Sequence, residues 1–411
     1  MSALRKILDN KLTRAVAKAV AHARYERAHD EAALVKAMRG KEVVSVEFLI
    51  NSLSAWKTES LYAAMKDHSR FRPTISIPPT LDEADTQALR RHLAAKGYEF
   101  REMGPRDHLE ADVAFYQKPY AIFTERGGYA YWRNARTLTC FIDYAFHTTE
   151  TTWGLNLPFL NEAWMVFFEN QECVDGAARM MDNRARNSVV TGLPMQDELM
   201  SGAQGGPDPW RTQAARKKRV IYAPHHSIED DGGLNLSTFL SVGEEMLEIA
   251  ERHADTVQFA FKPHPLLRAK LNRVWGRERT DRYYTRWAEA ANCQAEDGKY
   301  TSLFMHSDAM IHDCSSFIIE YLYTRRPALY MVKEGQRIGN LSDFARRAYD
   351  LHYKAGSARE IERFIDEVVV GGQDPLRAER DNFYASMLTP PGGRTACENI
   401  MAAILGGEGY A

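Results

Sequence analysis

The sequence has 411 residues, of which 45% are hydrophobic and 26% charged, and its formal net charge is −2. One hydrophobic core seldom extends over so long a chain, so two domains are expected. The near-neutral charge argues against a general nucleic-acid binder.

Five widely spaced cysteines form no CxxC pair, which predicts reduced thiols rather than a disulfide framework or a zinc site. No apolar run approaches the roughly 18 residues that a membrane span needs, and the N-terminus lacks the apolar core of a signal peptide. We therefore expect a cytoplasmic protein.

Residues 1–40 have the apolar period of a helix, with nine basic and four acidic side chains. One interpretation is a solvated helix packed on the body of the protein. The other is a basic amphipathic helix that rests on anionic lipid at the inner membrane face, which would make the protein peripheral to the membrane.

Strands alternate with helices from residue 41 to about residue 200, which predicts an N-terminal Rossmann-like domain. The helix over 80–96 opens with a capping box formed by Thr80 and Glu83. Strands are predicted at 43–50, 74–77, 98–103, 113–116, 138–142 and 164–168, with a further helix at 60–66.

The Gly- and Pro-rich stretch 201–217 has no apolar period and is predicted to be a linker. A second Rossmann-like domain follows at 218–375, and a helical segment at 376–411. Its predicted strands are 219–222, 257–261, 309–312 and 328–331, with helices at 238–253, 267–275, 283–291, 316–323 and 361–370. The fold class is therefore α/β, with two doubly wound parallel sheets facing a cleft where strand carboxyl ends meet ligands.

The strongest candidate site lies in SDAMIHDCSSFIIEYLYTRRPALYMV, residues 307–332. Asp313, Ser315 and Ser316 follow a predicted strand where the next helix begins, and a helix N-terminus favours phosphate. Glu320 lies about one turn further on, where a carboxylate could meet ribose hydroxyls. The alternative is that Ser315 is a simple N-cap.

Two further strand ends carry basic or imidazole side chains. Lys262 and His264 lie in FAFKPHP, where two prolines end the strand and favour side chains that point into the cleft. His225, His226 and Ser227 lie in VIYAPHHS. Paired histidines also suggest zinc, but neither helical i, i+4 spacing nor a nearby cysteine supports it, so no metal site is predicted.

His147 follows the apolar strand of CFIDYAFHTTE and is placed on the opposite wall of the cleft. A histidine with an ordinary pKa near ~6.5 can act as a general base at neutral pH. The alternative is a hydrogen-bonded surface histidine. No GxxxxGK[ST] loop is present, which argues against a P-loop kinase.

The order of these motifs resembles the CDP-glycerol glycerophosphotransferases, which build teichoic acids and related capsules. Their WHGTP-like, YAP, KxHP and DYSS segments correspond to FHTTE, YAPHHS, FKPHP and HDCSS here, over roughly residues 40–335. Thr148 replaces a glycine, Cys314 replaces a tyrosine, and two histidines replace the Trp-Arg that often follows YAP.

The resemblance implies the GT-B fold and transfer of a polyol phosphate from a CDP-activated donor, with release of CMP. His147 would be the base, and His264 would take part in catalysis. Lys262, Ser315 and Ser316 would meet the diphosphate, and Glu320 the ribose. The implied partners are a CDP-polyol donor and a lipid-linked glycan or polymer acceptor, without a cofactor.

Two rival functions remain at this stage. A glycosyltransferase that uses a CMP- or UDP-sugar would have the same architecture and phosphate site. A non-catalytic sugar- or nucleotide-binding protein would need no histidine on both walls. The sequence fixes neither the transferred group, the acceptor nor the oligomeric state.

Overall fold

The computed structural model describes residues 29–79, 83–104, 107–118, 136–150, 152–202, 206–229, 235–298, 300–336, 338–407 and 409. Two compact units are present. The first contains the described residues up to Ala145, then 152–195 and 394–409; the second contains 146–150 and 196–393. Within the described residues, no helix is both long and apolar enough to cross a membrane.

The first unit contains a seven-stranded parallel sheet with the order β3-β2-β1-β4-β5-β6-β7. Strands buried on both faces lack an alternation of exposed and buried side chains, and β4 and β5 are buried along their whole length for this reason. The strands are β1 (Val44–Leu49), β2 (Phe71–Ile77), β3 (Arg101–Glu102), β4 (Val113–Tyr116), β5 (Leu138–Ile142), β6 (Met165–Phe168) and β7 (Ser188–Val190).

The second unit contains a six-stranded parallel sheet with the order β10-β9-β8-β11-β12-β13. The strand order reverses beside β8, which has β9 on one side and β11 on the other. In open α/β sheets, such a reversal marks the edge where ligands bind. The strands are β8 (Lys218–Ala223), β9 (Val257–Phe261), β10 (Cys293–Ala295), β11 (Ala309–His312), β12 (Ala328–Met331) and β13 (Tyr353–Ala355).

Helices cover both sheets, and their apolar faces complete the two cores. In the second unit, Trp287 stacks on Phe261 at 5.1 Å between ring centroids. The α-helices are α1 (Glu31–Arg39), α2 (Glu59–Asp67), α3 (Glu83–Ala95), α4 (Thr152–Leu155), α5 (Pro158–Glu162), α6 (Gln171–Met180), α7 (Pro194–Gly202), α8 (Phe239–Arg252), α9 (Leu267–Val274), α10 (Arg277–Glu289), α11 (Thr301–Met305), α12 (Phe317–Glu320), α13 (Asp343–Asp350), α14 (Ala358–Arg363), α15 (Arg377–Phe383) and α16 (Ala396–Leu405).

The predicted fold class is confirmed, whereas the units depart from the predicted domain bounds. The chain passes from the first unit to the second within α7, and α16 belongs to the first unit. Much of the predicted linker packs on the second unit, because Trp210 is only 5% exposed and donates from its indole nitrogen to the carbonyl of Leu303. Residues 1–28 and Thr80 of the predicted capping box lie outside the described residues.

Candidate functional site

Three motif-bearing loops begin at the same edge of the second sheet. The register pairs Tyr222 of β8 with Phe261 of β9, and Ala223 of β8 with His312 of β11. The segments that follow these strands carry YAPHHS, KPHP and HDCSS, and they therefore emerge side by side. The backbone N–H of His264 also donates to the carbonyl of Pro224 at 3.0 Å, which ties two of the loops together.

His225, His226 and His264 form a cluster of three imidazole rings. The centroid of His226 lies 4.3 Å from that of His225 and 4.2 Å from that of His264, and the remaining pair is 5.1 Å apart. Burial, and then repulsion from the neighbouring basic groups, lowers the pKa of His225 to about 3 and that of His264 to about 4. Both rings are therefore neutral at physiological pH.

The ring nitrogens of this cluster lie within 4.8 Å of one another, a spacing that a metal ion could span. However, Nδ1 of His225 accepts from the backbone N–H of Ser227, and Nδ1 of His264 accepts from that of Leu266. A neutral imidazole carries one proton, so each proton lies on Nε2. A protonated nitrogen is a hydrogen-bond donor rather than a metal ligand, and this pattern favours an anion over a cation.

Lys262 is 8% exposed at the end of β9. Burial lowers the pKa of its ammonium, while Asp297 and Glu296 nearby act in the opposite direction. Among the described residues, this ammonium makes no hydrogen bond or ion pair. Burying a cation without a partner is costly, so the position suits a group that receives a negatively charged ligand.

Asp313 is 1% exposed, and its carboxylate is occupied by protein donors. One oxygen accepts from the backbone N–H of His225 at 2.6 Å, and the other from the N–H and the hydroxyl of Thr238 at 2.7 and 2.9 Å. Asp313 therefore holds the loops in place, and its predicted part in binding the donor stays a prediction. Thr238, the first residue of the helix predicted over 238–253, was not predicted to take part in the site.

Ser315 and Ser316 are half-buried at the start of α12. The Ser316 side chain makes no capping hydrogen bond, so its hydroxyl is not committed to the helix end. The helix predicted over 316–323 is only four residues long as an α-helix and continues as a 3₁₀ helix over Tyr321–Thr324. A short helix has a weak dipole, and the two hydroxyls are the stronger part of the argument for an anion site.

Glu320 is buried at the end of α12. Burial and the adjacent Glu320 carboxylate raise the pKa of Tyr300 well above its ordinary value. The two side chains thus lie together beside an aromatic group that includes Phe317, whose ring centroid is 5.3 Å from that of Tyr300. The predicted contact of Glu320 with ribose stays a prediction.

His147 was predicted to lie in the first domain, but its segment belongs to the second unit. Its predicted place on the opposite wall of the cleft stays a prediction. The segment joins that unit by pairing with residues distant in sequence. Thr149 forms an antiparallel bridge with Leu341, and the Ser342 hydroxyl donates to the carbonyl of His147 at 2.7 Å. Phe146 also stacks on Tyr323 at 5.9 Å between centroids.

Comparison with solved structures supports the fold class. MnaA of S. aureus in complex with UDP superimposes with a TM-score of 0.54 and 11% identity, covering 89% of this chain and 96% of that one. The UDP-GlcNAc 2-epimerase of Neisseria meningitidis bound to UDP-GlcNAc gives 0.51 and 13%, with 88% and 99% covered. The wall teichoic acid polymerase TagF gives 0.54 and 13%, with 95% and 96% covered.

The two Rossmann-like units have the GT-B type of fold. Residues 166–339 match the model of the CDP-glycerol:poly(glycerophosphate) glycerophosphotransferase family, from β6 to the segment before α13. This region, which carries the YAPHHS, FKPHP and HDCSS motifs, is similar to that family; the match confirms the resemblance, and the protein is a transferase enzyme of the glycerophosphotransferase type. Among curated proteins, none matches the sequence significantly.

Proposed function

We propose that this enzyme transfers a polyol phosphate, such as glycerol phosphate, from a CDP-activated donor to a hydroxyl group and releases CMP. The acceptor is a lipid-linked glycan or a growing polymer of the teichoic-acid or capsule type. The observation that carries the proposal is the largely buried ammonium of Lys262, which has no hydrogen-bond partner among the described residues and lies near the neutral ring of His264. A diphosphate would supply the negative charge that the Lys262 ammonium lacks and acceptor oxygens for the histidine N–H groups.

The chemistry is one displacement at phosphorus. The acceptor oxygen attacks the phosphorus that bears the polyol, the bond from this phosphorus to the bridging oxygen breaks, and CMP leaves with the electron pair. His147 takes the proton of the acceptor hydroxyl. Lys262, His264 and the hydroxyls of Ser315 and Ser316 offset the charge on the diphosphate, as preorganised donors do in phosphoryl transfer.

A nucleotide sugar is the second candidate donor. Two proteins that share the fold, MnaA of S. aureus and the epimerase of Neisseria meningitidis, were solved with UDP and UDP-GlcNAc. The imidazole cluster and Lys262 are proposed to meet the phosphates of the donor, and contacts to phosphate do not by themselves select the base. The choice between the two functions therefore depends on the group attached to the outer phosphate.

The test is a donor screen that measures transfer and hydrolysis with CDP-glycerol, CDP-ribitol, UDP-sugars and CMP-sugars. We expect CMP release from a CDP-polyol that increases when a lipid-linked acceptor is added. Turnover of a UDP- or CMP-sugar without turnover of either CDP-polyol would support the second candidate. Nucleotide binding without turnover of any donor would reject both and support a binding protein.

The N-terminal segment gives the enzyme a means to reach a lipid-linked acceptor at the inner membrane face. Residues 1–40 carry nine basic and four acidic side chains, and each basic residue near an anionic surface contributes roughly 1 kcal/mol at low salt. Removal of residues 1–38 should weaken co-sedimentation with liposomes that contain anionic lipid. Equal co-sedimentation of the full and shortened proteins at low salt would contradict the membrane role.

A further inference from the structure

The backbone fixes which nitrogen carries the proton in two of the clustered rings. In His225, Nδ1 accepts from the backbone N–H of Ser227 at 3.2 Å, and in His264, Nδ1 accepts from the backbone N–H of Leu266, also at 3.2 Å. The same i to i+2 arrangement thus occurs at the ends of two neighbouring strands. An N–H group can only donate, so each Nδ1 must present its lone pair.

A second donor reinforces this assignment at His225. The hydroxyl of Ser227 accepts from the backbone N–H of Leu236 at 2.9 Å and lies 2.9 Å from Nδ1 of His225. With an acceptor site of its oxygen already used, the hydroxyl is free to donate its hydrogen to Nδ1. The proton of the neutral ring is then on Nε2.

We propose that His225 and His264 bind the diphosphate of the donor as neutral rings that donate through Nε2–H. The inference rests on the proposed function and adds a defined tautomer to the site. Both rings belong to loops joined by the hydrogen bond from His264 N–H to the carbonyl of Pro224, so the two donors are presented together. Neither ring needs to gain or lose a proton when the donor binds.

The surroundings oppose a charged form of either ring. Lys262, Lys270 and the His226 ring face this group, and each raises the cost of a further positive charge. The buried carboxylate of Asp313 already accepts from the backbone N–H groups of His225 and Thr238. The carboxylates of Glu296 and Asp297 act on Lys262.

Protonation would also place a hydrogen on Nδ1, opposite a backbone N–H. Two donors would then face each other, and one hydrogen bond would be lost in each ring. The depressed pKa values of both imidazoles, which follow mainly from burial, agree with this picture. The positive charge that meets the diphosphate then comes from Lys262 rather than from an imidazolium.

The tautomer can be read without any ligand. In the full-length protein labelled with ¹⁵N at histidine, two-bond ¹H–¹⁵N spectra distinguish a protonated Nε2 from a protonated Nδ1, and His225→Gln and His264→Gln assign the signals. We expect the Nε2–H form at both positions and no change between pH 5.5 and 8. An Nδ1–H form at either position, a doubly protonated ring above pH 5.5, or stoichiometric zinc in the purified protein would overturn the proposal.

Paired substitutions test whether Nε2–H contacts the donor. The amide nitrogen of glutamine reaches about as far as Nε2, whereas that of asparagine reaches about as far as Nδ1. His264→Gln and His225→Gln should keep the affinity for CDP-glycerol within about threefold. The asparagine variants should lose about 10–150-fold, the value of one hydrogen bond to a charged group.

Melting curves of all four variants control for misfolding, since an affinity loss in a variant that melts like the wild type is local. If the glutamine and asparagine variants at one position lose the same affinity for CDP-glycerol, or if the asparagine variant binds it more tightly, the inference is wrong. The affinity of the wild type for CDP-glycerol, whose diphosphate does not titrate here, should change less than about twofold between pH 5.5 and 8. Binding that needed an imidazolium of ordinary pKa would fall about tenfold for each unit above ~6.5.

The failure of this inference is separable from the failure of the proposed function. If the wild type binds a UDP-sugar and not CDP-glycerol, the donor assignment is wrong, and the same glutamine and asparagine pairs are measured with the UDP-sugar. If CDP-glycerol is the donor and the spectra show Nδ1–H, the function stands and the tautomer assignment is wrong.

Discussion

The carboxylate of Asp313 holds the backbone of His225 by a 2.6 Å hydrogen bond. Its other oxygen holds Thr238 at the start of α8. One buried side chain thus connects the end of β11, the loop after β8 and the beginning of a helix. The loop that presents the imidazole cluster depends on a group that is not exposed to a ligand.

Asp313→Asn should destabilise the second unit and weaken donor binding together. An amide group presents a donor where the carboxylate presents an acceptor, so at least one of the three hydrogen bonds is replaced by two opposed donors. Leaving a buried polar group unsatisfied costs about 1–3 kcal/mol. Urea titration and calorimetric CMP binding measure the two effects.

The matched control for this change is Asp255→Asn, since Asp255 is an exposed carboxylate of the same unit. It should leave both the free energy of unfolding and the CMP affinity unchanged. Normal stability and normal affinity in Asp313→Asn would show that the carboxylate does not hold the loop.

His312 should make the fold less stable in acid. Burial lowers the pKa of its ring to about 3 in the folded chain, from an ordinary 6.5. Below pH 6.5 the unfolded chain binds a proton at this ring, whereas the folded chain does not until the pH approaches 3. The free energy of unfolding therefore falls over this range, by up to about 1.4 kcal/mol per pH unit. The free energy of unfolding should therefore decrease between pH 6.5 and 5.

His312→Asn isolates this contribution, because its amide can still donate to the carbonyl of Cys314, as Nδ1 of the ring does, but does not titrate. The variant loses some packing, so the comparison is between slopes of stability against pH. Asp313, with a pKa raised to about 6 by burial, acts in the opposite direction below pH 6 and is present in both proteins. Identical slopes between pH 5 and 6.5 would rule out a role for the ring.

Five buried strands of four or five residues were predictable because their sequence pattern is unambiguous. The bounds predicted for 113–116, 138–142, 257–261, 309–312 and 328–331 are those observed. The three-residue strands β7, β10 and β13 were missed, since so short a segment has no period and becomes a strand by pairing with a neighbour. The segment of His147 belongs to the second unit because Thr149 pairs with Leu341. Leu341 is distant in sequence, so the local pattern could not predict this pairing.

The site was predictable as a set of motifs, but the roles within it were not. Polar residues after apolar strands indicated which loops to examine, and the register of β8, β9 and β11 brings those loops to one edge. The sequence did not distinguish Asp313, which is committed to backbone donors, from Lys262, which has no hydrogen-bond partner among the described residues. That distinction depends on contacts between strands far apart in the chain.

His147→Ala should abolish transfer while leaving the affinity for the donor within about threefold. General-base catalysis contributes about 10²–10⁴-fold, so turnover should fall by at least 10². His108→Ala, a change at an exposed histidine of the first unit, is the control and should be fully active. A His147→Ala enzyme with more than about a tenth of wild-type turnover would remove this residue from the base role.

Exhaustive treatment with EDTA should leave transfer activity intact. The sequence has no Asp-x-Asp at a strand end, and the hydrogen bonds to Nδ1 of His225 and His264 leave a proton on the nitrogen that would otherwise bind a metal. Rates before chelation, after chelation and after addition of Mg²⁺, Mn²⁺ or Zn²⁺ give the answer. Loss of activity that one of these ions restores would contradict a metal-free mechanism.

Ser316→Ala should weaken donor binding without lowering the stability of the protein. The hydroxyl of Ser316 stands at the start of α12 and makes no capping hydrogen bond, so its removal costs the fold little. A hydrogen bond from this hydroxyl to a charged phosphate would be worth roughly 1.5–3 kcal/mol, and its loss should raise the dissociation constant about 10–150-fold. Turnover at saturating donor should change much less.

Ser357→Ala is the matched control for Ser316→Ala, because the Ser357 side chain accepts from the backbone N–H of Glu360 and does cap its helix. It should lose about 1 kcal/mol of stability and keep its affinity for CDP. Calorimetric CDP binding and a thermal melt on both variants therefore give opposite patterns. If Ser316→Ala behaves like Ser357→Ala, with a lower melting temperature and unaltered affinity, Ser316 is a helix cap and the phosphate contact proposed for it is wrong.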